Sequence, residues 1–294
     1  MANTKDIRAK IASTIKTQQT TRAMKVVSAA KLRRAQTNIV NARPYARRIF
    51  SMIRKVAVTQ QVEHPLLAQP SGKGQMGGKM LAVVVTSDRG LCGAFNNNVI
   101  KQARTFEEQY KGQFDTVDFL FIGRRGGDFF KKRGIVPVDV ITNLANDISY
   151  AFAQQTSERL WKAFLAGEYS QIRLVYNEFK SALSQNVIDE VLLPLDTGGA
   201  EGDFGAFSKE YIFEPSAPEL LDVLIKKHFA VQVYRCLQES VASEHGARMT
   251  AMEGATKNAG EMIRNLTLTY NKIRQAAITT ELIEITSGAE ALKG

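Results

Sequence analysis

Cysteine is almost missing from these 294 residues: the two present, Cys92 and Cys236, are far apart and outside any C-x-x-C or Cys/His spacing. That excludes a disulfide framework and a zinc-finger type of site, and two inert thiols suit a reducing cytoplasm. Histidine is equally scarce. His64, His228 and His245 are scattered, and no Ser/His/Asp or paired-carboxylate spacing accompanies them, which removes the usual signatures of hydrolytic catalysis. Long apolar runs are also missing. The longest, such as Met80 to Thr86, fall far short of the ~20 residues of a membrane-spanning helix, so any membrane role is peripheral.

Acidic residues are missing from one end. Residues 1 to 60 hold fourteen Lys and Arg against the single acid Asp6, whereas the remainder carries a net charge of −3 within a total of +10. Such a segment faces nucleic acid, anionic lipid or an acidic protein surface, or is a solvated helix face. An Arg-rich, acid-poor N-terminus also fits an organelle transit peptide, but a helical pattern starts by Ile7 and runs on without a cleavage-like break.

Alternate steps of four and three from Ile7 give Ile7, Ile11, Thr14, Gln18, Thr21, Lys25, Ser28, Leu32, Ala35, Ile39, Ala42, Ala46, Ile49, Ile53 and Val56. Ten of the fifteen are apolar, so this is a coiled-coil seam. The five polar positions are consecutive, Thr14 to Ser28, and that stretch is expected to face something other than an ordinary apolar helix. Pro44 is the one breaker and is expected to bend or open the helix.

The C-terminal third repeats the pattern. Met249, Met252, Thr256, Ala259, Ile263, Leu266, Tyr270, Ile273 and Ala277 are heptad-spaced, and the phase then slips by one residue to Ile278, Leu282, Ile285, Ala289 and Leu292. A slip of that kind presents apolar surface in a new direction. With no proline between about 219 and 290, this helix reaches on the order of 100 Å and the N-terminal one about 80 Å at ~1.5 Å per residue.

Between the helices the period changes. Met80–Thr86, Val117–Ile122, Val136–Ile141 and stretches near 171–178 and 188–194 read as five strands. Helical stretches near 94–110, 124–133 and 147–166 alternate with the first four, which predicts a mostly parallel sheet. Glycine-rich residues 72–78 read as a mobile linker, and Thr197–Gly205 as a second break. The fold expected is α/β: a long antiparallel coiled coil of N- and C-terminal helices with an inserted Rossmann-like domain. The segments are 1–60, 76–211 and 212–294.

A sheet of this kind invites a nucleotide, yet the phosphate loop is lacking. Thr86-Ser-Asp-Arg-Gly-Leu-Cys-Gly-Ala-Phe-Asn96 has neither the G-x-G-x-x-G spacing nor a Walker Gly-Lys-Ser/Thr, and Gly123-Arg-Arg-Gly-Gly127 is also wrongly spaced. Nucleic-acid binding by the basic helix is allowed by composition. Against it, the cations surround the helix and no aromatic residue appears before Tyr45.

The segment Ile278-Thr-Thr-Glu-Leu-Ile-Glu-Ile-Thr-Ser-Gly-Ala-Glu-Ala291, with Arg274-Gln275 ahead of it, resembles the signature of gamma subunits of bacterial F-type ATP synthases. Three further blocks agree: Ile7–Lys31, Ser87–Gly93 and Ala247–Met252. The similarity spans the whole chain.

The resemblance implies a non-catalytic rotor shaft that couples proton-driven rotation of a membrane ring to ATP synthesis or hydrolysis in a catalytic hexamer, binding no nucleotide or metal itself. It implies that Met24 and Lys25 face an acidic lever loop of the catalytic beta subunits, and that Arg248, Gln275, Thr279 and Glu281 touch the ring of alpha and beta subunits. Gln275 and Thr279 share a helix face and Glu281 points about 120° away. Tyr211 and Glu214 match the foot, which contacts the membrane c-ring and the epsilon subunit. It also implies one copy per complex, peripheral to the cytoplasmic face of a bacterial inner membrane. The cysteine pair of photosynthetic forms has no counterpart between about 195 and 215, so thiol control is not expected.

Overall fold

The computed structural model describes residues 4–60, 63–68, 77–110, 112–142, 148–196, 214 and 216–291. Their elements are α1 (Thr4–Gln60), β1 (Lys79–Val85), α2 (Phe95–Gln109), β2 (Thr116–Ile122), α3 (Arg124–Lys131), β3 (Asp139–Ile141), α4 (Tyr150–Leu165), β4 (Gln171–Phe179), β5 (Gln185–Leu193) and α5 (Ala217–Ala291). Most of the 72–78 linker and all of 197–205 lie outside the described residues. The chain divides into two compact units, Ala29–Arg248 and Met1–Ser28 with Met249–Gly294. This partition cuts both long helices, placing residues 29–60 and 217–248 in the same unit as the sheet.

In the larger unit the strand order is β3-β2-β1-β4-β5. β1 pairs in parallel with β2 and β4, β2 with β3, and only β4 and β5 are antiparallel. That last pairing follows from a short hairpin, in which the Ser181 amide donates to the Ser184 carbonyl at 3.0 Å; a turn that tight leaves no room for a crossover helix. β3 is shorter than the expected Val136–Ile141: its register partners are Leu120–Ile122 of β2, the Val138 amide adds one bond of 2.8 Å to the Phe119 carbonyl, and Val136 and Val138 are exposed.

β1 is buried on both faces, which is why it reads as an unbroken apolar run rather than an alternation. Met80, Ala82 and Val84 meet Val99, Ala103 and Phe106 of α2, with Phe119, Phe121 and Phe130. Leu81, Val83 and Val85 belong to the opposite core, with Leu160 of α4, Ile49 and Ile53 of α1, and Leu221, Ile225 and Phe229 of α5. Each large side chain enclosed this way contributes about 1.5–3 kcal/mol.

Capping agrees with the local sequence. Ser149 Oγ accepts the Phe152 amide at the start of α4. Ser216 accepts the Glu219 amide as α5 begins, with Pro218 in the first turn where its missing N–H costs nothing. Pro44 does not end α1. Its ring removes the amide that would bond the Val40 carbonyl, and both residues lie on the exposed face, open to solvent.

One buried carboxylate ties three elements together. The Glu239 side chain on α5, 1% exposed, accepts from Arg43 Nη2 of α1 at 2.8 Å and from the Phe179 amide of β4 at 3.0 Å.

In the smaller unit the two helices run antiparallel. Thr14 Oγ1 lies 4.0 Å from Met262 Sδ, Thr21 Oγ1 lies 2.8 Å from Thr256 Oγ1, and Lys25 Nζ donates to Glu253 Oε1 at 2.6 Å. Gln18 Nε2 also reaches the Thr256 carbonyl at 3.4 Å. The polar stretch from Thr14 to Lys25 therefore faces the partner helix after all, which corrects the expectation. Hydroxyls, an amide and an ion pair close the seam there instead of methyl groups.

His228 on α5 is enclosed by the core and stacks on Phe50 at a ring distance of 5.4 Å, and its Nδ1 has no hydrogen-bond partner. Burial, aided by Arg235, pushes its pKa down to about 4. Between about pH 4 and 6.5 the unfolded chain therefore binds more protons at this position, so stability is full above 6.5 and falls as the pH drops toward 4. At about 1.36 kcal/mol per pH unit the loss from this one group is on the order of 3 kcal/mol. Thermal unfolding is expected to show that decline, and His228→Phe to reduce it; an identical pH profile in the variant would contradict the assignment.

Candidate functional site

The turn after β1 occupies the place where an α/β sheet of this order usually binds ligands, because the chain leaves β1 toward β2 on one side and returns to β4 on the other. Here the protein's own atoms fill it. Gly123, at φ +111°, lets the chain pass so close that a Cβ would lie 2.1 Å from the Thr86 carbonyl oxygen. The first amides of α3, the helix after β2, are engaged by the same turn. Arg124 N donates to Asp88 Oδ1 at 3.0 Å, Arg125 N to the Ser87 carbonyl at 3.1 Å and Gly126 N to Thr86 Oγ1 at 3.0 Å.

The same turn is buttressed from below and beside. The Ser87 amide donates to Asn96 Oδ1 at 2.9 Å, and Asn96 Nδ2 returns a bond to Ser87 Oγ at 2.8 Å. Arg248 Nη2 donates to the Gly90 carbonyl at 3.2 Å and the Arg89 carbonyl at 3.4 Å, while its Nη1 pairs with Glu244 at 2.7 Å. Burial pushes the Glu244 carboxyl up and Arg248 opposes it. His245, 3.4 Å from Arg248 Nη1, is pushed down to about 4 by burial, then by Arg248 and Lys31, so it accepts rather than competes. The scaffold holds Leu91 at φ +64° and exposed, beside exposed Arg89.

Neither thiol suits chemistry. Cys92 and Cys236 are buried, and burial pushes both upward, Cys236 most strongly, which leaves little thiolate at neutral pH. Among the described residues no group of three His, Cys, Asp or Glu could hold a metal ion, and no helix is long and apolar enough to cross a membrane.

The residues implied as contacts do not form one cluster. Met24 and Lys25 are half-buried on α1, and Lys25 is already engaged by Glu253. Arg248 is 8% exposed and spends its donors on the β1–α2 turn and Glu244. Gln275, Thr279 and Glu281 are exposed, and the bond of 2.9 Å from Thr279 Oγ1 to the Gln275 carbonyl fits their shared face. Glu214 is exposed and Tyr211 lies outside the described residues. From Arg274 to Ala291 every residue of α5 is exposed, including Ile278, Leu282, Ile283 and Ile285.

A family model described as ATP synthase matches residues 3–292. An ATP synthase gamma chain of Bdellovibrio bacteriovorus is 56% identical, with 100% of each chain covered; those of Geobacter sp. strain M21 and Geotalea uraniireducens are 48% and 45% identical over the same full coverage. The chain belongs to the ATP synthase gamma-chain family. Two solved structures share its fold. A chain of the central stalk and c-ring of Tetrahymena thermophila mitochondrial ATP synthase has a TM-score of 0.58 at 22% identity, covering 80% of this chain and 98% of that one. A chain of the Euglena gracilis mitochondrial ATP synthase has a TM-score of 0.56 at 18% identity, covering 92% and 95%.

Sequence reasoning missed Glu244, Asn96 and Glu253. Asn96 and Glu244 become partners only once the turn is folded, and Glu253 becomes the partner of Lys25 only once the antiparallel register is known. With no phosphate-loop spacing in the β1–α2 turn and the protein's own groups packed into it, calorimetry of the full chain is expected to show no micromolar binding of ATP or NAD. A saturable micromolar isotherm with either would overturn that reading of the turn.

Proposed function

We propose that the chain is the central rotor shaft of a proton-translocating ATP synthase. Rotation of a membrane c-ring turns it within a hexamer of alpha and beta subunits, and its asymmetric cross-section imposes different conformations on three otherwise identical catalytic sites. The work is mechanical: each site changes nucleotide affinity in turn because the shaft surface facing it changes. The observation that carries this reading is the exposed run of α5 from Arg274 to Ala291, with Ile278, Leu282, Ile283 and Ile285 open to solvent in a gamma-chain relative. Contiguous apolar surface of this kind calls for an external partner, and a hydrophobic collar in the hexamer supplies one.

Met24 and Lys25 meet an acidic lever loop of the beta subunits, where a basic, half-exposed surface gives a contact that forms and breaks. Gln275 and Thr279 meet one side of the hexamer and Glu281 another. Arg248 acts by holding the β1–α2 turn, so that Arg89 and Leu91 are the atoms presented. Tyr211 and Glu214 belong to the foot that meets the c-ring and the epsilon subunit, peripheral to the cytoplasmic face of the bacterial inner membrane. The gamma-chain relatives lend no support to nucleic-acid binding by the basic helix.

Deleting residues 285–294 tests the collar. The deletion removes Ile285, Ala289 and Leu292 and no group with a chemical role, while burial of each large apolar side chain in the collar is worth about 1.5–3 kcal/mol. The expected product is a complex that assembles less firmly and still hydrolyses ATP, more slowly. Complete loss of hydrolysis in a fully assembled complex would contradict a mechanical role for this end.

A further inference from the structure

Lys25 occupies a seam position of α1, yet its ammonium is not free. It sits 2.6 Å from Glu253 Oε1, with the lysine side chain 38% and the glutamate side chain 61% exposed. One turn before Lys25, Thr21 is buried and its hydroxyl lies 2.8 Å from that of Thr256. Arg22, one turn before Lys25, and Lys257, one turn after Glu253, are both exposed. The rim of the helix pair is therefore net cationic, with one carboxylate set among three cations.

A half-exposed pair of this kind is weak, because water screens it and both side chains lose rotamer freedom. It is also exchangeable: an incoming carboxylate can take over the ammonium while Glu253 returns to water. We propose that Glu253 is a positioning residue that lends Lys25 an internal carboxylate, so that each contact between Lys25 and an acidic partner surface is an exchange of one carboxylate for another rather than the capture of a bare cation. The inference rests on the reading of Lys25 as a contact with the acidic lever loop. An exchange is close to balanced, and a shaft surface that grips and releases at each step needs that balance. Glu253 also fixes where the ammonium waits, since the pair bridges α1 and α5 at one register position.

Removing the carboxylate alone should leave Lys25 unpaired and make every contact stronger. In the assembled complex at low ionic strength, Glu253→Gln is expected to slow ATP hydrolysis about two- to five-fold, the range open to a half-exposed ion pair. Added salt should relieve the slowing, and Lys25→Gln in the same chain should abolish that salt dependence. Subunit composition and helix content of each variant complex establish that assembly is intact. A Glu253→Gln complex with the wild-type rate at low salt, or one whose slowing persists in salt or keeps its salt dependence after Lys25→Gln, would overturn the exchange. A Lys25→Gln complex with unchanged rate and unchanged salt dependence would instead overturn the contact reading on which the exchange rests.

Discussion

The buried carboxylate of Glu239 is the constraint on which the larger unit is arranged. Taking a carboxylate out of water costs several kcal/mol unless charge and hydrogen bonds replace the solvent, and here Arg43 of α1 and the Phe179 amide of β4 do so. The gain is positional more than energetic, since an apolar side chain of similar volume could be as stable. α1, α5 and the end of β4 are held in a single mutual arrangement, and the apolar groups beside them, Ile49, Ile53, Phe229 and Leu237, share the core that this arrangement closes. The β1–α2 turn is fixed in the same manner, by Arg248 and Glu244 one helical turn apart on α5.

Much of this was legible because periodicity reports burial directly. None of the fifteen positions stepped out from Ile7 to Val56 is exposed, and the unbroken run of β1 is the strand enclosed on both faces. What remained hidden depended on pairing. The polar run from Thr14 to Lys25 signals something other than an apolar partner helix, and its partner stays hidden because Thr21 with Thr256 and Lys25 with Glu253 are complementary only across the antiparallel register. Arg248 looked like a surface contact, and no spacing in the sequence says that its guanidinium folds back onto the Arg89 and Gly90 carbonyls. The slip after Ala277 was legible as a change of direction, and all the described positions of the new stripe are exposed.

These features divide labour along the chain in a way that suits a rotating part. The sheet is packed on both faces, its ligand crevice is filled by Thr86, Ser87, Asp88 and Asn96, and its thiols are buried. It supplies rigidity, not chemistry. The helix pair of the smaller unit is closed in part by hydroxyls and an ion pair, so its rim keeps polar groups that water or another protein can replace. The end of α5 leaves Ile278, Leu282, Ile283 and Ile285 exposed.

The central claim is that the chain turns as a rotor shaft while the hexamer around it works. The most direct measurement is the orientation of a single reporter fixed to an exposed position of the α/β domain, followed in individual immobilised complexes during ATP hydrolysis. The account predicts one-way stepping with three rests per revolution, one for each catalytic site, and arrest when hydrolysis stops. A reporter that keeps a fixed orientation while its complex goes on hydrolysing ATP would contradict it.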